Sequence, residues 1–365
     1  MVLQLIENVA SRFGHKAFFR TGITICLGIV LGSTVANASA PQQNPPEPSA
    51  RGGHAEVGKS EQGEADQLGR LLMNTAAMRA DVLSHVKGAA IYDLAQDYWI
   101  GMPSFTAAGD PPFHYWMTHS PRDGAQDNPF DVSEAARTVV TYSGDAFTMY
   151  SHTGTHIDSL NHFGLHGEIW NGFDAERHLD EEGWKVNGAD KIPPIIANAV
   201  LIDLLKASDR TQLPPNHRIS AEEIRHALNA QNIKIRPGDV VLLRTGQGAY
   251  FSDPERYGKD AAGLSVEAAM FLADEGAMIV GMDVMNPEIL PSGLEDNWIP
   301  VHTFLLGEKG IPIIENLDLE ALASDRLYRF AFIGMPLKIR GATGSPIRPI
   351  ALPLEQSDQL EVAAK

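Results

Sequence analysis

Between Ser151 and Gly164 the chain reads S-H-T-G-T-H-I-D-S-L-N-H-F-G, which puts His152, His156, Asp158 and His162 within eleven residues. Any fold that carries this segment must bring three imidazoles and a carboxylate close together. Two imidazoles and a carboxylate at this spacing can hold a divalent metal, and the third imidazole, His162, is left to move protons. His152, His156 and Asp158 have the same parity, so an extended segment would project all three from one face, and the pattern predicts a strand. A helix would also bring His152 and His156 together, as in H-E-x-x-H metalloproteases. Here Gly154 and two β-branched threonines occupy that turn, and no glutamate stands between the histidines. Gly154 either lets backbone approach a metal ligand closely or is an ordinary bulge glycine.

The pattern H-x-G-T-H-x-D-x-x-x-H-F resembles the signature of the cyclase family of metal-dependent hydrolases, which includes bacterial kynurenine formamidase, isatin hydrolase and a trans-dienelactone hydrolase. Other segments resemble further family blocks in the expected order. They are Ile91 to Leu94, Gly101-Met102-Pro103, Gly109 to Phe113, Pro237-Gly238-Asp239 with the run to Thr245, Gly281-Met282-Asp283, His302, and Ile311 to Leu317. The resemblance covers roughly Ile91 to Pro353. It implies an α/β protein with the swivelling β/β/α fold, mixed sheets with flanking helices. It also implies that His302 and Glu315 complete a binuclear centre in which Asp158 bridges. Glu315 follows the apolar run Ile311 to Ile314, and a carboxylate at the end of a buried strand needs a partner or a metal.

The first forty residues read as a secretory signal. Arg12, Lys16 and Arg20 form the positive region, Thr21 to Ala36 the apolar region, and Ala36-Asn37-Ala38 or Ala38-Ser39-Ala40 the cleavage site. Cleavage after Ala38 is favoured, because Pro41 is a poor residue just past the second site. The sixteen-residue apolar run is short of the roughly 20 that a membrane-spanning helix needs. An exported protein, periplasmic or secreted, is therefore expected. The only cysteine, Cys26, lies inside this signal, so disulfides, thiolate ligands and a cysteine nucleophile are excluded from the mature chain.

Removing residues 1 to 40 takes three Lys/Arg from 29 and one Asp/Glu from 46, and leaves a formal net charge of −19. So acidic a protein is a poor match for nucleic acid or an anionic membrane. The expected partner is a small-molecule substrate, with assembly as a homo-oligomer. Residues 41–66, rich in Pro, Gln, Glu and Gly, read as a disordered linker, and 67–365 as one domain. Gln67 to Lys87 reads as a helix ending before Gly88, as do Ser220 to Ala230 and Ser265 to Glu275 with its capping Ser265 and terminating Gly276. Strands are expected at Ile91 to Leu94, Thr138 to Tyr142, Ala199 to Leu205, Val240 to Arg244, Met278 to Val284 and Arg329 to Ile339.

A metal held by His152, His156 and Asp158 keeps open positions, lowers the pKa of a bound water toward roughly 7, and polarises a substrate carbonyl. His162 is then the general base, or else a residue orienting Asp158. A nitrogen and oxygen site without thiolate suits Zn²⁺ and Mn²⁺ alike, with one or two ions per chain. Formamidase-type relatives carry an aromatic and a proline where this chain has Ala107-Ala108. Phe105, Trp99 and Trp116 are candidates for a replacement aromatic wall, and Asn171 for the pocket lining, although Asn171-Gly172 is also a turn signal. The expected function is hydrolysis of a C–N or C–O bond in a small amide, lactam or lactone. The alternative is a non-catalytic exported metal- or ligand-binding protein on the same fold. A serine hydrolase is disfavoured because no G-x-S-x-G elbow is present.

Overall fold

Four parallel strands form the middle of the protein, and their apolar runs face cover on both sides. They are β5 (Ile195–Asp203), β6 (Val240–Arg244), β7 (Ile279–Met282) and β8 (Ile313–Glu315). Alternate residues feed two cores. Val200, Ile202, Val241 and Leu243 pack with Ile224 and Leu228 of α3 (Ala221–Gln231) and Leu272 of α4 (Val266–Asp274). Ala199, Leu201, Val240 and Leu242 pack on the other face with Leu322, Phe330 and Phe332. Each fully buried Leu, Ile or Phe contributes about 1.5–3 kcal/mol.

The helices start and stop where their caps dictate. Ser220 and Glu223 form a reciprocal capping box on α3, which ends at Asn232 in the left-handed conformation. Ser265 caps α4 by accepting from the Ala268 amide. Gly276 follows at φ 96°, where a Cβ would lie 2.7 Å from the backbone of Pro237.

The sheet is completed by antiparallel strands. Beyond β5 lie β9 (Arg329–Gly334), β11 (Ile350–Pro353) and β1 (Tyr92–Asp93); beyond β8 lie β4 (His156–Asp158) and β10 (Gly344–Pro346). The order across all nine strands is β1-β11-β9-β5-β6-β7-β8-β4-β10. A separate ribbon pairs β2 (His114–His119) with β3 (Gly144–Thr148).

The computed structural model describes residues 52, 54–88, 90–106, 109–122, 131–206 and 210–355, all within one compact unit. The signal sequence expected at 1–40 lies outside the described residues, as do Ala107 and Ala108. No helix among the described residues is long and apolar enough to cross a membrane.

Three local expectations are corrected. The described part of the expected linker, 54–66, packs on the domain with Ala55 and Val57 buried, and the Gly58 amide donates to the Gly307 carbonyl at 2.9 Å. Low apolar content failed as a guide here because other backbone and side-chain groups satisfy this segment's polar atoms. The helix expected over 67–87 is two pieces, a 3₁₀ turn Gly69–Met73 and α1 (Ala76–His85), because Thr75 accepts from the Met78 amide and starts a new helix. The strand expected at Thr138 to Tyr142 begins inside α2 (Glu134–Val139), where the Ser133 cap outweighs the β-branched residues.

Candidate metal centre

Strands β4 and β8 pair so that Glu315 lies opposite His156 and Ile313 opposite Asp158. His156, Asp158 and Glu315 therefore share one face at the sheet's end. His152 does not reach them along the same strand. The chain turns at Gly154, at φ 64°, where a Cβ would lie 2.6 Å from the Tyr98 ring. The single-strand presentation expected for all three ligands thus holds only for His156 and Asp158, and Gly154 serves close packing. The bare Gly344, paired with Asp158 in β10, leaves room for His152, whose ring would be 2.5 Å from a Cβ there. His302 arrives on the helical turn Pro300–His302, which runs into a π-helical turn, Thr303–Glu308.

These five residues are at most 4 % exposed. They form two groups, His152/His156/Asp158 and Asp158/His302/Glu315, and within each group the ligand atoms lie within 4.8 Å of one another. Asp158 belongs to both. Its Oδ1 is 2.6 Å from His152 Nδ1 and 3.3 Å from His156 Nε2, and its Oδ2 is 3.7 Å from His302 Nε2. Glu315 lies 3.3 Å from both His156 Nε2 and His302 Nε2.

The donor set fits a divalent ion on two independent grounds. His156 Nε2 and Asp158 Oδ2 are buried without a hydrogen-bond partner, an arrangement that costs free energy unless something binds there. The ring tautomers also point the right way. His156 Nδ1 lies 2.8 Å from the Gly154 carbonyl, which can only accept, so Nδ1 donates there and Nε2 is the nitrogen left to face a cation. His302 Nδ1 faces Glu288 Oε1 at 3.2 Å, and the same oxygen accepts from the His302 amide at 2.7 Å. That is the carboxylate–histidine arrangement which orients a metal ligand. His152 Nε2 lies 2.9 Å from Thr343 Oγ1.

The electrostatics agree with this. Burial acts to lower His156 and His302, yet carboxylates on each (Asp158 and Glu315 on the first, Glu288 and Glu315 on the second) push both up to about 10. Burial acts to raise Asp158, and the surrounding histidines hold it well below the usual carboxylate range. In the absence of a metal these carboxylates draw protons onto the histidines, the place a divalent cation would take.

His162 belongs to neither ligand group. Its ring stacks on His152 with centroids 3.8 Å apart, meets Phe163 edge-on at 4.4 Å and lies 6.2 Å from His302. Burial, joined by the charge of His152, His302 and His156, outweighs the pull of Asp158 and holds its pKa well below the ordinary imidazole value, so it is neutral and can accept a proton at physiological pH.

A cavity of about 600 Å³ adjoins the centre, lined by Tyr98, Trp99, Ile100, Phe113, Tyr115, Phe147, Met149, Leu337 and Pro346. Tyr98 joins the two, with its hydroxyl 2.9 Å from the Thr153 carbonyl, and Pro346 pairs with His156. Phe113 packs against Tyr98 at 5.7 Å and stacks on Phe147 at 6.0 Å. Trp99 is part of this aromatic wall, whereas Phe105 and Trp116 are not. Trp116 neighbours Tyr115 on β2 and so points to the opposite face of the ribbon. Asn171 is corrected as well. It is a turn residue at φ 68°, and its amide clasps the 54–66 segment by accepting from the Ser60 amide and donating to the Gly63 and Asp66 carbonyls. Sequence reasoning missed Glu288, Thr343 and Asn316. Only Asn316, directly after Glu315, carried a positional signal.

Comparison with known proteins agrees with this geometry. The family model described as putative cyclase matches residues 92–289. Kynurenine formamidase of Bacillus cereus is 28% identical over 233 residues, covering 62% of this chain and 90% of that protein. Cyclase-like protein 3 of Oryza sativa subsp. japonica is 25% identical over 268 residues, 73% of this chain and 80% of that protein. A crystal structure described as a novel cyclase superposes with a TM-score of 0.71 at 25% identity, covering 80% of this chain and 96% of that one. Isatin hydrolase A from Ralstonia solanacearum shares the fold at a TM-score of 0.54 and 23% identity, covering 73% and 92%. With its signature histidines and Asp158 gathered at one end of the sheet, the chain belongs to the cyclase family of metal-dependent hydrolases.

Proposed function

We propose that this protein hydrolyses the C–N bond of a small amide or lactam with an apolar body. The observation that carries this is the pair of buried ligand groups sharing Asp158, with neutral His162 beside them and an aromatic cavity adjoining. The relatives named kynurenine formamidase support amide chemistry. One or two divalent ions, Zn²⁺ or Mn²⁺, held by His152, His156, Asp158, His302 and Glu315, would supply Lewis acidity, lowering the pKa of water and polarising the substrate carbonyl.

The chain's own groups do the rest. His162 takes a proton from the attacking water and delivers it to the leaving nitrogen, so that oxygen adds to the carbonyl carbon as the C–N bond breaks. Glu288 orients His302, and Gly154 orients His156. Tyr98, Phe113 and Phe147 offer apolar surface to the body of the substrate and exclude water from that side. Turnover assays of the metal-loaded protein on N-arylformamides, isatin-type lactams and aryl lactones test the assignment. Hydrolysis of a formamide or lactam is expected. Cleavage of lactones alone would move the chemistry to C–O bonds, and no turnover on any of the three would leave a binding protein.

Export belongs to the same proposal, on the basis of the charged start, apolar run and A-x-A sites. Amino-terminal sequencing of protein from its native host should return Ser39 or Pro41, and finding Met1 or Val2 would refute it. Homo-oligomer assembly is also proposed, because the ribbon exposes Trp116, Met117 and Phe147. A monomeric mass by light scattering would count against it.

A further inference from the structure

Asn316 directly follows Glu315 and sits at φ 57°, a left-handed conformation that asparagine tolerates better than most residues. It touches both arms of the metal centre. Its Nδ2 donates to the Gly154 carbonyl at 2.8 Å, and that same oxygen accepts from His156 Nδ1 at 2.8 Å. Its own carbonyl accepts from Thr155 Oγ1 at 2.6 Å. Its Oδ1 accepts from the Tyr257 hydroxyl at 2.8 Å. Asn316, Tyr257 and Thr155 are all fully buried.

The direction of each bond is forced. A carbonyl can only accept, so the amide nitrogen of Asn316 must face Gly154 and the amide oxygen must face Tyr257. Tyr257 is then the donor, and of its two acceptors Asn316 Oδ1 at 2.8 Å is nearer than the Asp283 carbonyl at 3.3 Å. The Gly154 carbonyl, gripped by Asn316, is then held where it accepts the hydrogen bond from His156 Nδ1, and Nε2 is aimed between Asp158 and Glu315, 3.3 Å from each. The side chain therefore ties segment 154–156, which carries one ligand group, to the strand end that carries Glu315. Aspartate would turn an acceptor toward the Gly154 carbonyl, and a bulky aliphatic residue would be strained at this φ.

We infer that Asn316, held by Tyr257, is a positioning residue for the metal centre, fixing the tautomer and aim of His156 and the spacing between the two ligand groups. This rests on His156, Asp158 and Glu315 being metal ligands. Tyr257 serves it from well outside the ligand sphere, on the turn Pro254–Tyr257.

The test uses the full chain stripped of metal, with two variants. Asn316→Gly keeps the backbone conformation and removes the amide, and Tyr257→Phe removes one oxygen. Three quantities are measured: the Zn²⁺ dissociation constant by competition with a chromophoric chelator, the visible spectrum of the Co²⁺-loaded protein, and the thermal midpoint of the metal-free form. Asn316→Gly should weaken Zn²⁺ binding about 10- to 100-fold and shift the Co²⁺ bands. Tyr257→Phe should weaken it at least about threefold, within the range of one net hydrogen bond, and it decides alone if Asn316→Gly does not fold. A fall in the metal-free thermal midpoint with Zn²⁺ affinity and Co²⁺ spectrum unchanged would make the network merely structural and overturn the inference. If the wild type itself binds no Zn²⁺, the metal-centre reading fails and takes this inference with it.

Discussion

Replacing His162 with alanine removes the imidazole that neither ligand group uses, so metal content and turnover should respond differently. Losing positioned proton transfer costs about 10²- to 10⁴-fold in rate, which is about 2.7–5.5 kcal/mol of transition-state free energy. The structural cost is smaller. The ring gives up its stack on His152 at 3.8 Å and its edge contact with Phe163 at 4.4 Å, and such pairs contribute about 0.5–1.5 kcal/mol each. For a domain of this size that is a fall in melting temperature of roughly 2–10 °C, with the fold intact. Metal content by elemental analysis and kcat on the best substrate from the turnover assays form the pair of readouts. His162→Ala should keep near wild-type metal and lose the acidic limb of its pH–rate profile, since the neutral ring that titrates is gone. Asp158→Asn should lower metal and rate together, because both ligand groups share that carboxylate. If His162→Ala loses metal in step with activity, His162 is a ligand and the water needs another base. If neither quantity changes, the mechanism is wrong.

Three further outcomes follow from named contacts. Gly154→Ala places a methyl 2.6 Å from the Tyr98 ring at φ 64° and should destabilise by about 2–5 kcal/mol, the sum of left-handed strain and overpacking; an unchanged denaturation midpoint would refute the close-packing role. Glu288→Gln keeps the size of the side chain but removes the charge that pins His302, and should weaken metal binding roughly tenfold by isothermal titration, whereas wild-type affinity would remove Glu288 from the centre. Burial acts to raise Glu223, yet His217 and Ser220 hold it down at about 2. Its contribution is therefore present above the ordinary glutamate pKa and is lost as pH falls from there through about 2. With screening at this half-exposed site, Glu223→Gln should cost roughly 1 kcal/mol at pH 7. The difference in melting temperature should narrow below pH 4.5, and a gap constant down to acid would refute it.

Much of the centre was legible because its chemistry is written locally. His152, His156, Asp158 and His162 are close enough in the chain that residue type and spacing alone imply metal and proton chemistry. Several core strands were legible for a related reason, although not their parallel pairing. Runs such as Val240 to Leu243 and the cap Ser265 reflect backbone satisfaction and apolar burial, which act over a few residues. Local rules failed where a distant partner outweighed them. Residues 54–66 look like linker by composition, but the Asn171 amide and the Gly307 carbonyl satisfy their backbone. Thr138 to Tyr142 looks like a strand, yet Ser133 starts a helix just before it.

The sequence by itself determined which side chains can ligate a metal, which apolar runs form the core strands, and the family to which they point. Tertiary structure alone decided how His152 reaches the centre through the Gly154 turn. It also decided that Glu288 and Asn316 orient two of the ligands, and that the aromatic wall is built from Tyr98, Phe113 and Phe147 rather than Phe105 and Trp116. The physical reason is that ligand identity is a property of a residue, whereas the aim of an imidazole depends on which carbonyl or carboxylate the packed chain brings to its other nitrogen.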